Sequence, residues 1–152
     1  MSYDYEDFDD FYQRLVKYRN SGVNYFAAHT NIEITKIWQG GAKGRIVLEE
    51  HHGNPIGSVH GGCLFSLADS VGGAAAVSRR RAVTTVSSSI NYVNAAMMDR
   101  TKVLYAEAKE IKAGKSTCVY QVDITDDSDT LIATAVNTYF YLKGEMKLPG
   151  AD

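Results

Sequence analysis

Asp69 is the only Asp, Glu, Lys or Arg between His52 and Ser78, in a run otherwise dominated by Leu, Phe, Val, Ala and Gly. Carrying a carboxylate into apolar surroundings costs free energy unless something uses or satisfies it, so Asp69 is a candidate nucleophile or base. The same isolation suits a carboxylate that is met by strand hydroxyls or loop N–H groups and only fixes a helix. Periodicity leaves both readings open. Upstream, Asn54-Pro55-Ile56-Gly57-Ser58-Val59-His60-Gly61-Gly62 reads as a loop that feeds a helix through two glycines. The first N–H groups of a helix have no internal acceptor, and the helix dipole adds partial positive charge there. Glycine lets a substrate approach that backbone closely. Such a place holds an anion, or an oxygen that becomes anionic in a transition state, and Gly61 is the natural donor.

These residues need a helix over about 61–78, apolar nearly all round, and something to cover it. Ahead of it, Phe8, Phe11, Tyr12, Leu15 and Val16 recur at helical spacing, with Asp4, Glu6, Asp7, Asp9 and Asp10 at the acidic start. Residues 32–39 and 44–50 read as a hairpin around Gly40-Gly41. After Arg79-Arg80-Arg81 come strand patterns at 83–93, 102–112, 116–125 and 131–142, rich in Val, Ile, Thr and Tyr. Short turns between four successive strands predict an antiparallel meander. The fold class is α+β: an antiparallel sheet of about six strands wrapped on a central helix, in one domain over 1–152 with 1–22 as an N-terminal helical extension.

Composition narrows the partners. With 45% apolar and 22% charged residues and a net charge of −2, the 152-residue chain has the balance of an ordinary globular domain and no basic excess for nucleic acid. The acidic start does not resemble a secretory leader, and no uncharged run is long enough for a membrane helix. Cys63 and Cys118 stand singly, as free thiols would in a reducing cytoplasmic protein. The spacing of His29, His51, His52 and His60 matches no usual metal-ligand pattern, and no cofactor motif is present.

The run Asn54-x-x-Gly57-x-x-His60-Gly61-Gly62, followed by Leu67-Ala68-Asp69, resembles the signature of hotdog-fold thioesterases of the phenylacetic-acid-degradation (PaaI-like) type. Tyr25-Phe26-Ala27-Ala28-His29 before Ile32 and Ile90-Asn91-Tyr92-Val93-Asn94 are similar too, and the likeness spans about residues 24–142. It implies an acyl-CoA thioesterase in which Asp69 attacks the thioester carbonyl or activates water and Gly61 N–H polarises that carbonyl. Asn54 would stand beside the nucleophile or water, and His60 would shape the turn and contact the thioester. Thr85 would supply a strand hydroxyl, with Ser87, expected on the same strand face, as second choice. Gly62, Ser87, Arg79, Lys115 and Ser116 are the substrate-binding candidates. Arg79-Arg80-Arg81 reads first as a complement to the helix C-terminus and otherwise as a contact for coenzyme A phosphates. Ala113-Gly114-Lys115-Ser116 reads first as a plain hairpin turn, where the resemblance sets a basic turn toward the nucleotide end of coenzyme A. The family often has Pro where Ala95-Ala96 stands and a polar residue such as Asp near Ser87-Ser88, differences that bear on the acyl pocket. Phe26, Leu64, Phe65, Val71 and Met97 are candidates to line it. A non-catalytic acyl-CoA-binding hotdog protein is the alternative. A hydratase of this fold would want a His after the Asp on the helix, and none follows Asp69 before the strands.

Thioester hydrolysis needs an activated oxygen and a donor for the developing oxyanion. Asp69 and Gly61 lie eight residues apart, about 12 Å along one helix. No single carbonyl touches both. A second copy of the helix, antiparallel across a two-fold axis, would bring Asp69 of one subunit to Gly61 of the other, so a homodimer or dimer of dimers is expected.

Overall fold

The computed structural model describes residues 5–23 and 25–149, with side chains from residue 10 onward apart from Asn24. The sequence-based roles of Asp4 and of the Glu6, Asp7, Phe8 and Asp9 side chains lie outside the described residues. Helix α1 (Tyr5–Arg19) leads through the short α2 (Phe26–His29) into a hairpin of β1 (Ile32–Trp38) and β2 (Gly41–Val47). Its turn is made at Gly40, where φ is +84°, a conformation that costs glycine nothing. Helix α3 (Gly61–Ala76) follows and runs into one 3₁₀ turn at Val77–Arg79; Arg80, left-handed at φ 62°, ends it. The remaining strands are β3 (Val83–Tyr92), β4 (Val103–Ala113), β5 (Thr117–Asp126) and β6 (Leu131–Tyr141). Among the described residues no helix is long and apolar enough to cross a membrane.

All six strands form one antiparallel sheet in the order β1-β2-β4-β5-β6-β3. The expected four-strand meander is therefore only partly right. β4, β5 and β6 follow one another, but β3 pairs with β6, from Val83 opposite Tyr141 to Tyr92 opposite Ala133. That places β3 on the far edge of the sheet, and residues 93–102 are a crossing rather than a turn. They are held against the loop that enters α3, through Val59 N–H to Ala96 O (2.8 Å) and Met98 N–H to Gly57 O (2.9 Å).

α3 packs against every strand. Leu64, Leu67, Ala68, Val71 and Ala74 to Ala76 are buried on the sheet. The alternating Leu104, Ala106 and Ala108 of β4 and Cys118, Tyr120, Val122 and Ile124 of β5 meet them. Each large side chain buried in this way contributes roughly 1.5–3 kcal/mol. A single sheet covers only part of the helix, however. Gly62, Phe65, Ser66, Asp69 and Ser70 form a stripe that faces away from it, and most side chains of β3 are exposed.

α1 is part of this body. Phe11 and Leu15 are buried, and the Arg80 guanidinium lies 4.0 Å from the centre of the Phe11 ring. Leu15→Ala should therefore cost about 2–5 kcal/mol of unfolding free energy, as for other deep core truncations. Urea denaturation measures it; a loss below about 1 kcal/mol would show that the helix is only loosely attached.

Candidate active site

Asp69 stands at the edge of α3 nearest β3, where the Thr85 hydroxyl donates to its Oδ1 at 2.9 Å. The carboxylate is half-exposed rather than buried as its apolar neighbours suggested, because it belongs to the stripe that the sheet leaves open. β3 carries a bulge here: Thr85 pairs with Tyr139 but Ser87 with Thr138, so Val86 is an extra residue. Directly paired residues share a face of the sheet, and the bulge reverses the alternation. Ser87 is thus turned to the outer face, contrary to the expectation that it shares a face with Thr85. Ser88 faces inward instead, and its hydroxyl donates to Asn137 Oδ1.

Three side chains that were not singled out from the sequence grip consecutive carbonyls of α3 around Asp69. Asn137 Nδ2 donates to Ala68 O (3.2 Å), the Tyr139 hydroxyl to Asp69 O (3.1 Å) and Arg19 Nη2 to Ser70 O (3.2 Å). Asn137 is fully buried and also donates to the Tyr139 hydroxyl at 3.1 Å. Burial pushes the Tyr139 phenol far above its ordinary range, and the negative charge of Asp69 adds to this, so it stays a donor. The approach depends on Gly72, since a Cβ there would come within 2.3 Å of the Tyr139 oxygen. Two signals could have revealed the grip: glycines one turn beyond the carboxylate, and a buried Asn137 two residues from Tyr139 on one strand face.

At the other end of the stripe His60 is the N-cap of α3, and its Nδ1 accepts the Gly62 N–H at 2.8 Å. Gly62 therefore has no amide to offer a substrate, whereas the Gly61 N–H has no acceptor among the described residues. With Nδ1 accepting, a neutral His60 carries its proton on Nε2, and the ring is exposed. The Tyr92 hydroxyl donates to Gly61 O at 3.1 Å, so β3 braces both the carboxylate and the helix start. Asn54 is engaged in its own loop: its oxygen accepts from Ile56 N (3.2 Å) and Ser58 N (3.1 Å), and its amide donates to Ser58 Oγ (2.9 Å). It makes no hydrogen bond to Asp69 within the chain. Of the expected acyl-pocket residues, Leu64 and Val71 are sealed in the core, while Phe65 and Phe26 are exposed. Phe26 lines a cavity of about 200 Å³ with His60, Gly62, Cys63 and Ser66. Burial raises the Cys63 thiol to about 11, which keeps it protonated and makes it a poor nucleophile.

The basic residues gather at the opposite end of α3. Arg79 is committed to Glu110 through two hydrogen bonds of 2.9 and 2.8 Å, and the Tyr120 hydroxyl donates to the same carboxylate at 2.9 Å. Arg81 donates to Lys115 O at 3.0 Å and lies over the Tyr141 ring. Lys115 and Ser116 are exposed on the β4–β5 turn, whose Ser116 carbonyl accepts from Tyr141 N.

A six-stranded antiparallel sheet curled on one central helix defines the hotdog class. The thioesterase superfamily model matches residues 56–133. The chain belongs to that superfamily and is a thioester hydrolase. A protein of Archaeoglobus fulgidus is 34% identical over 107 residues, covering 70% of this chain and 68% of its own. The structure of a hypothetical thioesterase of Streptococcus pneumoniae with coenzyme A is 31% identical, covers 77% of this chain and 89% of its own, and superposes with a TM-score of 0.71. That protein has also been crystallised as two mutants, with Ala replacing one aspartate and one threonine. The PaaI protein of E. coli shares the fold, at 23% identity and a TM-score of 0.78 over 89% of this chain and 98% of its own.

The Arg79–Glu110 pair has a pH signature. Its hydrogen bonds, and that from Tyr120, hold the Glu110 carboxyl below its ordinary range. A depressed pKa in the folded state gives stability that is present above the ordinary carboxyl value and lost as pH falls through the folded one. Glu110→Gln should therefore lower Tm at pH 7 by the equivalent of about 1 kcal/mol, since solvent reaches the pair. The gap between variant and wild type should close as the pH is lowered past 4. A gap unchanged from pH 7 to 3 would remove the ion pair as its cause.

Proposed function

We propose that the protein hydrolyses acyl-CoA thioesters to a free acid and coenzyme A, with Asp69 as the catalytic carboxylate, in a homo-oligomer whose sites lie between subunits. The observation that carries this reading is the Asp69–Thr85 pair on the open face of a helix whose first amide, at Gly61, is unclaimed. The Thr85 hydroxyl holds one carboxylate oxygen and leaves the other to attack the thioester carbonyl, directly or through a water that it deprotonates. The Gly61 N–H stabilises the oxyanion as the carbonyl becomes tetrahedral. Collapse expels the coenzyme A thiolate, and water supplies the remaining oxygen and hydrogens of the two products. His60, with its proton on the exposed Nε2, is placed to donate toward the substrate beside that amide. Support also comes from the S. pneumoniae protein, whose two mutated residues are 16 apart in the order Asp then Thr, the separation of Asp69 and Thr85.

The oligomer follows from the same stripe. β3 is a ten-residue edge strand with exposed side chains, and an uncovered edge of that length invites pairing with another strand. A second β3 added antiparallel would set two α3 helices antiparallel, bury Phe65, and carry Gly61 of one subunit toward Asp69 of the other. Asn54, whose amide has one N–H uncommitted, would reach the site with that partner loop. Arg79, held by Glu110, is a weaker candidate for coenzyme A phosphates than Lys115 and Ser116 on the exposed turn.

Asp69→Asn keeps the shape and the acceptor for Thr85 but removes the charge. Its kcat on a responsive acyl-CoA, followed by release of free thiol, should fall at least about 10²-fold while substrate binding persists. Turnover near wild type in this variant would sink the aspartate mechanism.

A further inference from the structure

Gly72 and Gly73 stand side by side inside α3, where glycine weakens a helix. Each leaves room for a donor. A Cβ at Gly72 would run into the Tyr139 oxygen at 2.3 Å, and one at Gly73 would meet Arg19 Nη2 at 3.4 Å. The donors use that room on the preceding turn, Tyr139 at Asp69 O and Arg19 at Ser70 O. A carbonyl inside a helix already accepts from the N–H four residues on, so α3 does not need either bond to be satisfied. The Tyr139 arm has a fixed direction. Ser88 donates to Asn137 Oδ1 and Asn137 Nδ2 to the Tyr139 hydroxyl, which leaves the phenol's own proton for Asp69 O. Ser88 and Thr85 belong to the same strand, so β3 holds Asp69 twice: its carboxylate directly and its carbonyl through β6. The second arm comes from α1. Arg19 makes no ion pair among the described residues, and its one hydrogen bond there goes to the residue after Asp69. Arg19, Asn137 and Tyr139 all lie outside residues 56–133, so membership of the superfamily assigns them no role.

We propose that Tyr139 and Arg19 are positioning residues for hydrolysis, setting the backbone at Asp69 and Ser70 so that the Asp69 carboxylate meets the thioester carbonyl. This rests on the reading above in which Asp69 is the catalytic carboxylate. Both residues act through Asp69: Tyr139 is sealed in the core, and Arg19 grips the neighbouring peptide. The N-terminal helix then acts on the reaction through one guanidinium as well as packing on the body.

The test reads kcat and KM separately, by release of free thiol and well below each variant's Tm. The substrate is whichever member of a panel from acetyl- to lauroyl-CoA, with benzoyl-CoA, the wild type hydrolyses fastest. Tyr139→Phe removes one oxygen, and Arg19→Met removes the donor and its charge. Each should lower kcat about tenfold or more, since a misplacement of about 1 Å can cost about 10²-fold. KM should stay within about twofold, because neither group binds substrate. Arg19→Lys keeps a cationic donor and should bring kcat back to within about threefold of wild type. A purely structural role would lower Tm and leave kcat of the folded enzyme within about twofold of wild type. That result overturns the clamp and leaves the thioesterase reading intact, as does a KM that rises while kcat holds, or an Arg19→Lys as slow as Arg19→Met. If Arg19→Met does not fold, Tyr139→Phe decides. Asp69→Asn is measured alongside. Near wild-type turnover there sinks the aspartate reading and the clamp with it, and a wild type that hydrolyses no member of the panel overturns both.

Discussion

An α-helix can present a carboxylate and its own first amide on one face, but it cannot bring both to one atom. Asp69 and Gly61 are separated by eight residues and about 12 Å of helix. The other features of the site answer that constraint. The sheet curls around α3 without closing, the stripe from Gly62 to Ser70 stays open, and β3 remains an unpaired edge beside it. In one chain these look like unfinished packing. As half of the proposed two-fold site they would be complementary parts, each end of the helix supplying what the opposite end of another copy lacks.

The proposed half-site is held firmly around its carboxylate. Ala68, Asp69 and Ser70 each have a carbonyl held by a side chain from a different direction, two from β6 and one from α1. Gly72 permits this approach at the expense of helix propensity, since glycine in a helix interior costs about 1 kcal/mol relative to alanine. That cost is well placed: a carboxylate held to a fraction of an ångström reacts much faster than one that must be found by diffusion. At the helix start His60 consumes the Gly62 amide, which leaves the Gly61 amide for the proposed donor role.

Much of this was legible from residue types. The isolation of Asp69, the glycine pair after His60 and the β-rich second half led to the central helix and the wrapped sheet, while Thr85 came only from the resemblance to the PaaI-like thioesterases. What was not legible came from non-local pairing. Nothing between Tyr92 and Val103 tells the chain to pass β5 and β6 before starting β4; that follows from β3 finding β6, whose partner residues run from Ala133 opposite Tyr92 to Tyr141 opposite Val83. The bulge at Val86 escapes period-two counting, which puts Ser87 on the wrong face and passes over Ser88. Arg79 reads in the sequence as a complement to the helix C-terminus or a phosphate contact, because its partner Glu110 lies 31 residues on, across the sheet. The half-exposure of Asp69 is hidden too, because an apolar sequence environment does not distinguish a buried face from one awaiting a partner.

The most direct test of a site shared between subunits is complementation between two inactive chains. Asp69→Ala and Gly61→Val, each inactive alone, would be co-expressed with different tags, and all dimers purified together without sorting mixed from unmixed. In a mixed dimer one site carries both defects and the other carries none. Random pairing makes about half of all dimers mixed, so specific activity should recover to about a quarter of wild type. Tandem tag capture would establish that the chains pair. Activity that remains at the mutants' floor in captured mixed dimers would show that Asp69 and Gly61 act within one chain, and a shared site would no longer explain why α3 leaves a face open.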